Sequence, residues 1–230
     1  MDGQLVIVFL GIILLTGFFI GHAVANKSNG QSGVLWGLGA VPDRMNEGEY
    51  IVHKALHRIL DKEREVLFNN VTLTLADGST TQIDHIFIST TGIFVIETKH
   101  YDGWIFADAS SKQWMQTFQT SKHPFQNPIH QNMKHVKAVE SIFDFLPKKV
   151  FHSIIVFSGN AEFKTSQPLN VIYADELHLH LKKYTDDLIS INRVHFCAGR
   201  LLFKRLPNNP ETDKLHVKNI NRRHANKQVF

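Results

Sequence analysis

Asp84, Glu97 and Lys99 stand at the ends of two apolar stretches within Gln82–Lys99, which reads QIDHIFISTTGIFVIETK. Charged groups at the ends of greasy strands are costly unless something binds them. The run Ile93–Ile96 is β-branched and aromatic, as a buried strand should be. Side chains alternate along a strand, so Glu97 and Lys99 project from the same side. The position of Asp84 depends on the turn. With Thr90 and Thr91 as a two-residue loop, Ser89 pairs with Gly92 and Asp84 faces Glu97. With Gly92 at the positive-φ place of a three-residue loop, the register moves by one and a bulge must restore the facing. Either way the carboxylates are neighbours, roughly 5 to 8 Å apart. Like charges held that close raise one pKa unless a cation sits between them. Mg²⁺ or Mn²⁺ suits carboxylate oxygens, and Lys99 could then polarise an attacking water or stabilise charge developing on a phosphate. A surface hairpin with a Glu97–Lys99 ion pair and no metal uses the same residues.

The pattern Asp-x(12)-Glu-x-Lys resembles the core of the PD-(D/E)xK nucleases. The wider context, ETKHYDGWI followed downstream by NPIHQ, resembles one branch of them, the nuclease-related domain (NERD), over about residues 45 to 160. That resemblance implies a restriction-endonuclease-like α/β fold, a mixed sheet flanked by helices. It implies a divalent-metal-dependent nuclease that hydrolyses phosphodiester bonds, with DNA ahead of RNA as substrate. Asp84 and Glu97 would hold the metal, with the carbonyl of Thr98 and with Glu49 of the first helix. Lys99 would aid water activation, and Gln131, which matches the glutamine after NPxx, would position water or phosphate. Two other functions fit the same residues: a catalytically inactive nucleic-acid-binding or interaction module, and a hydrolase of a smaller phosphoester.

Several elements must position these groups. Asn46 can cap a first helix, with Glu49 three residues on as in a capping box; Val52, Ala55, Leu56, Ile59 and Leu60 give it one apolar face. His53 and His57 are four apart on that helix, a solvated pair or a transition-metal pair. Val66–Leu75 reads as a strand turned back by Asp77-Gly78. Asp102-Gly103-Trp104-Ile105 reads as a turn and a short strand, with Trp104 and Trp114 as core or edge packing. Asn127-Pro128 starts a helix that Pro147 ends. Gln131 and His135 share a face in its first turns, where free N–H groups favour phosphate. Val150–Phe157 is a buried-type strand, Asn170–Tyr173 a shorter one, and Asp175 caps a helix reaching about Tyr184. Ile191–Ala198 reads as one more strand.

The chain has 230 residues and a net charge of +4 with 14 histidines uncounted, which suits a phosphate-bearing partner without demanding one. The single cysteine, Cys197, excludes an intrachain disulfide framework and a cysteine zinc cluster. Leu5–Ala25 is uninterrupted by charge and long enough to span a bilayer. No basic residue precedes it, as a signal peptide would require, although His22-Ala23-Val24-Ala25 leaves an A-x-A that a peptidase could accept. With Lys27 and Arg44 after the span and none before, the positive-inside rule places the C-terminal domain in the cytoplasm of a single-pass membrane protein. The organisation is therefore a transmembrane anchor (1–26), a flexible tether (27–44), a nuclease-like domain (45–200) and a basic extension (201–230). The extension reads as a short helix and frayed end able to meet nucleic acid or lipid headgroups.

Overall fold

The computed structural model describes residues 45–227, with side chains to 222. The expected anchor, Leu5–Ala25, and the tether lie outside the described residues. Among the described residues no helix is long and apolar enough to cross a membrane. The elements run α1 (Glu47–Ile59), β1 (Val66–Thr74), β2 (Thr80–Ser89), β3 (Gly92–Lys99), β4 (Gly103–Phe106), β5 (Gln113–Phe118), β6 (Ser121–Gln126), α2 (Pro128–Ile142), β7 (Phe151–Phe157), β8 (Ala161–Phe163), β9 (Val171–Tyr173), α3 (Leu177–Leu181), α4 (Ile191–Lys204) and α5 (Pro210–Lys227).

The main sheet has the order β1-β2-β3-β7-β9. β1, β2 and β3 are antiparallel neighbours, whereas β7 lies parallel to β3 and β9 parallel to β7. The expected mixed sheet flanked by helices is what forms. One layer of core joins Phe68, Ile86, Ile88, Ile93 and Val95 to Val136 and Val139 of α2 and to Val194 and Leu201 of α4. The opposite layer joins Phe87, Phe94 and Ile96 to Val52 and Leu56 of α1 and to Leu177 and Leu181 of α3. The strands facing both layers are continuously apolar because both faces are covered. A smaller sheet, β6-β5-β4-β8, packs Ile105 and the buried Trp114 against Ile155, Phe157 and Val171 of β7 and β9. Trp104, on the inner strand β4, lies half exposed, with the Lys164 ammonium over its ring at 4.8 Å.

The turn between β2 and β3 resolves the register. Ser89 pairs with Gly92, so Thr90 and Thr91 form the two-residue loop. Pairing between β1 and β2 breaks once: rungs Asn69↔His85 and Val71↔Ile83 are formed, and between them Asn70 takes φ +49° opposite Asp84. Phe68, Val71, Ile83 and Ile86 all enter the same core layer. The odd-even alternation therefore slips once in each strand. Because both strands slip together, the register survives and only the residues at the slip are re-aimed.

Three expectations are corrected. Ile191–Ala198 is not a strand but the start of α4, whose buried Val194, Cys197, Ala198 and Leu201 recur at helical spacing. The helix expected from Asp175 to Tyr184 shrinks to Leu177–Leu181, with no side-chain cap. The C-terminal segment forms an 18-residue helix, α5, rather than a short one. Its start is capped by Asn209, whose Oδ1 accepts from Thr212 N at 2.9 Å, and it docks on β2 through His216 Nδ1 and Asn219 Nδ2, 2.9 and 3.2 Å from Thr80 Oγ1.

Candidate active site

The β2–β3 rungs stop at His85↔Ile96. One step further the Thr98 N–H donates to Asp84 Oδ2 at 2.7 Å. A side chain thus replaces the next backbone rung, and the two strands part where the slip has turned Asp84 inward. Glu97 follows on β3 and is 3% exposed. Its Oε1 accepts from Lys99 Nζ at 2.5 Å, and its Oε2 lies 3.2 Å from His135 Nε2. Lys99 Nζ also donates to Gln131 Oε1 at 3.1 Å. Asp84, Glu97, Lys99 and Gln131 therefore converge, and the Thr98 backbone forms part of the same cluster.

Helix α2 brings Gln131 and His135 there because its start is held from two sides. Asn127, fully buried, caps it by accepting from Ile129 N at 2.9 Å, while its Nδ2 donates to the carbonyl of Ser111 at 2.7 Å. One turn on, buried Asn132 donates to the Val95 carbonyl at 2.8 Å and to Ser153 Oγ at 2.9 Å. That clamps the helix across β3 and β7. His135 Nδ1 lies 2.8 Å from Thr81 Oγ1, so the imidazole is fixed from behind.

Glu49 joins electrostatically. Its backbone N–H is capped by Asn46 Oδ1 at 2.9 Å, and Asn46 Nδ2 donates back to its Oε1, so the expected cap forms. Burial nevertheless pushes its pKa up to about 7, with the Glu97 charge adding and the Asn46 bond and Lys99 opposing. For Asp84, burial and then the charges of Glu97 and Glu49 raise the pKa well above the usual carboxylate value, against the Thr98 N–H and Lys99. Burial also opposes ionisation of Glu97, but the Lys99 ammonium and His135 outweigh it and hold the pKa low. Burial works against Lys99 as well, yet the Glu97 carboxylate raises its pKa. The cluster at neutral pH is one firm carboxylate–ammonium pair beside two carboxyls that resist ionisation.

His53 and His57 do not assemble a metal site: their ring centroids are 5.8 Å apart, and His53 Nδ1 instead lies 3.3 Å from Asn69 Oδ1. Among the described residues no group of three or more His, Cys, Asp or Glu side chains is arranged as a preformed metal site. Asn69 Oδ1 also takes His85 Nδ1 at 2.7 Å. Burial, reinforced by His53, lowers the His85 pKa to about 3, so this ring packs as a neutral group behind the cluster.

The nuclease-related domain, NERD, matches residues 44–158. The uncharacterized protein pXO1-01 of Bacillus anthracis is 34% identical over 182 residues, spanning 77% of this chain and 84% of that protein. This chain belongs to the NERD family. The NERD domain is part of the PD-(D/E)xK-like nuclease superfamily. No solved structure matches the chain. The NERD match ends at Ser158, immediately after β7, so it contains α1, the central hairpin and α2, every element that supplies the cluster. Within it, the sequence pattern singled out His135 only as a neighbour of Gln131 and passed over Asn132 and Thr81. The one available signal was spacing: positions 131, 132 and 135 lie along one side of a helix whose cap was already legible.

Proposed function

We propose that this NERD protein is a membrane-anchored, Mg²⁺- or Mn²⁺-dependent nuclease that hydrolyses nucleic-acid phosphodiester bonds, with DNA ahead of RNA. The observation carrying this reading is the convergence of Asp84, Glu97 and Lys99 in a family of nuclease-related domains. The donor set fits a hard divalent cation. Glu97 Oε2 is buried with His135 Nε2 beside it at 3.2 Å, and burial first, then neighbouring carboxylate charge, keep Asp84 and Glu49 from ionising. Asp84, Glu97 and the Thr98 carbonyl would hold the ion, with Glu49 completing the set. When bound, such an ion supplies Lewis acidity and lowers the pKa of a coordinated water. Lys99, already held by Gln131, donates to the attacking water or to a non-bridging phosphate oxygen as charge develops. Gln131 keeps the ammonium in the cluster, at 3.1 Å, and His135 keeps Glu97 in one orientation.

Leu5–Ala25 would anchor the chain in the bilayer, with the C-terminal domain on the cytoplasmic side. This is supported by the uncharged apolar run and by basic residues that follow it only. Alkaline extraction and protease protection of membranes bearing the full chain test it; release into the soluble fraction refutes it.

The catalytic test measures cleavage of plasmid, linear DNA and RNA with Mg²⁺, Mn²⁺ or EDTA. The wild type should cut only with metal, Asp84→Asn should be inactive, and Lys99→Ala should fall by about 10²–10³-fold. Nucleic-acid binding without cleavage in any metal would make the domain an interaction module instead.

A further inference from the structure

A groove of about 610 Å³ opens beside the cluster, between α1 and the carboxyl ends of β7 and β9. Its floor adjoins the strand that carries Lys99. Phe157 is the rung partner of Lys99, and Ser158 N donates to the Lys99 carbonyl at 3.0 Å. Adjacent strands are only about 4.8 Å apart. The edge between cluster and groove is tight: a Cβ on Gly48 would meet His100 Cβ at 2.5 Å and Ser158 Oγ at 2.7 Å. Helix α1 therefore sits close upon the strand ends and divides its residues three ways. Val52 and Leu56 enter the core, Glu49 couples to the cluster, and Ile51, Lys54, Ala55 and Arg58 line the groove.

That last set has helical spacing and two chemistries. Ile51 and Ala55 give an apolar surface. Lys54 and Arg58, both exposed, are one turn apart on the same wall. The facing wall carries Asp175 and Glu176, and the Glu176 carboxylate accepts from Tyr173 N at 2.8 Å. A run of phosphates would be repelled there. A single nucleotide suits it, with its phosphate against Lys54 and Arg58, its sugar or base on the apolar floor, and its hydroxyl or amino groups toward the acids. The volume lies within the usual range of about 300–1,000 Å³ for small-ligand pockets.

We propose that this groove is a subsite for the nucleotide next to the scissile phosphate of a single strand, read through Lys54 and Arg58. The proposal rests on the nuclease reading, because the cluster defines where the scissile phosphate lies. The test is a salt titration of binding. Full-length protein in mild detergent with EDTA is titrated against fluorescein-labelled single-stranded decamers of DNA and RNA at several salt concentrations. Losing the one phosphate contact should reduce the slope of log K against log salt by about 0.7. Lys54→Ala/Arg58→Ala should show that reduction and about a tenfold weaker Kd at low salt, and Lys54→Arg/Arg58→Lys should restore both. The control, Lys148→Ala/Lys149→Ala, removes two exposed lysines at the other end of α2 and should leave slope and Kd unchanged. An unchanged slope in the groove variant, an equal loss in the control, or no binding by the wild type each overturns the subsite. Cleavage is read in parallel with Mg²⁺. Intact cleavage with an unchanged slope removes only the subsite. A slope difference without cleavage in any metal removes the nuclease reading and leaves a nucleotide-binding groove.

Discussion

Asp84→Asn should abolish cleavage and at the same time stabilise the metal-free protein. The asparagine Oδ1 can still accept the Thr98 N–H that now meets Asp84 Oδ2, so the substitute rung between β2 and β3 survives. What disappears is a carboxylate pressed against Glu97 and Glu49. Facing strand residues place the Asp84 and Glu97 carboxylates roughly 5 Å apart, and at an effective dielectric near 20 their repulsion is about 3 kcal/mol. Lys99 screens part of this, leaving a gain of about 1–2 kcal/mol, or roughly 2–8 °C in Tm for a domain of this size. The pH dependence has a definite sign. The folded-state pKa of Asp84 lies above its ordinary value of 3.8. Folding is therefore not penalised below that pH, and the penalty grows as pH rises toward the folded value. Thermal melts of the full chain in EDTA from pH 4 to pH 8 provide the assay. The variant should match wild type at pH 4 and melt higher at pH 8, while Mg²⁺ should raise the wild-type Tm and leave the variant unmoved. A variant that melts below wild type at pH 8, or gains equally at pH 4, would refute the reasoning.

The remaining expectations address the neighbours of that group. Because the pKa of Glu49 is pushed up to about 7 from 4.5, Glu49→Gln should flatten the stability–pH curve between those values, matching wild type at pH 4 and melting higher at pH 8 in EDTA. Asn132→Ala removes the donors to the Val95 carbonyl and Ser153 Oγ and should cost about 2–4 kcal/mol by urea titration, with the metal requirement unchanged. His135→Ala deprives Glu97 Oε2 of its neighbour at 3.2 Å and should weaken metal affinity or activity by about 10- to 100-fold, read from Mn²⁺ titration of cleavage. Gly48→Ala should destabilise by about 1–3 kcal/mol, since its new methyl meets atoms 2.5 and 2.7 Å away; a neutral result would show that α1 can shift from the strand ends.

What was legible in the chain, and what was not, follows the range of the interactions. Residue alternation and a two-residue turn bring Asp84 and Glu97 opposite one another, and both signals are local. So is the helix start at Asn127-Pro128, whose cap forms as the residue types require. The β5–β6 hairpin was missed because Lys122, His123 and Pro124 are exposed, leaving no alternating apolar pattern to read. Segment Ile191–Ala198 misled for the opposite reason: five of its eight residues are apolar, and a window of eight does not separate a short strand from the first turns of an amphipathic helix. The slip at Asn70 and Asp84 could not be read at all. Nothing marks Asn70 for a positive φ except its tolerance of that conformation, and the consequence, an Asp84 aimed at Thr98 N–H, depends on two strands moving together. The hydrogen bond from Lys99 to Gln131 needed the crossover that lays α2 against β3, a matter of topology rather than pattern.

The alternative of an ion-paired surface hairpin fails on burial and on charge. Glu97 is enclosed by α2 rather than solvated, with 3% of its surface exposed. Desolvated charges are retained where they are compensated, and Lys99 makes its direct ion pair with Glu97, at 2.5 Å. Asp84 and Glu49 are left over: three carboxyl groups share one ammonium, and burial, with the neighbouring carboxylate charge, raises the pKa of both despite it. A hairpin that needed only an internal ion pair would have no use for two further acids, a left-handed asparagine opposite one of them and a side-chain rung in place of a backbone one. The paired slip, the left-handed asparagine and the side-chain rung all fall together at this place. Such concentrated disagreement is the expected mark of a functional site, and the missing positive charge is what a bound dication would supply.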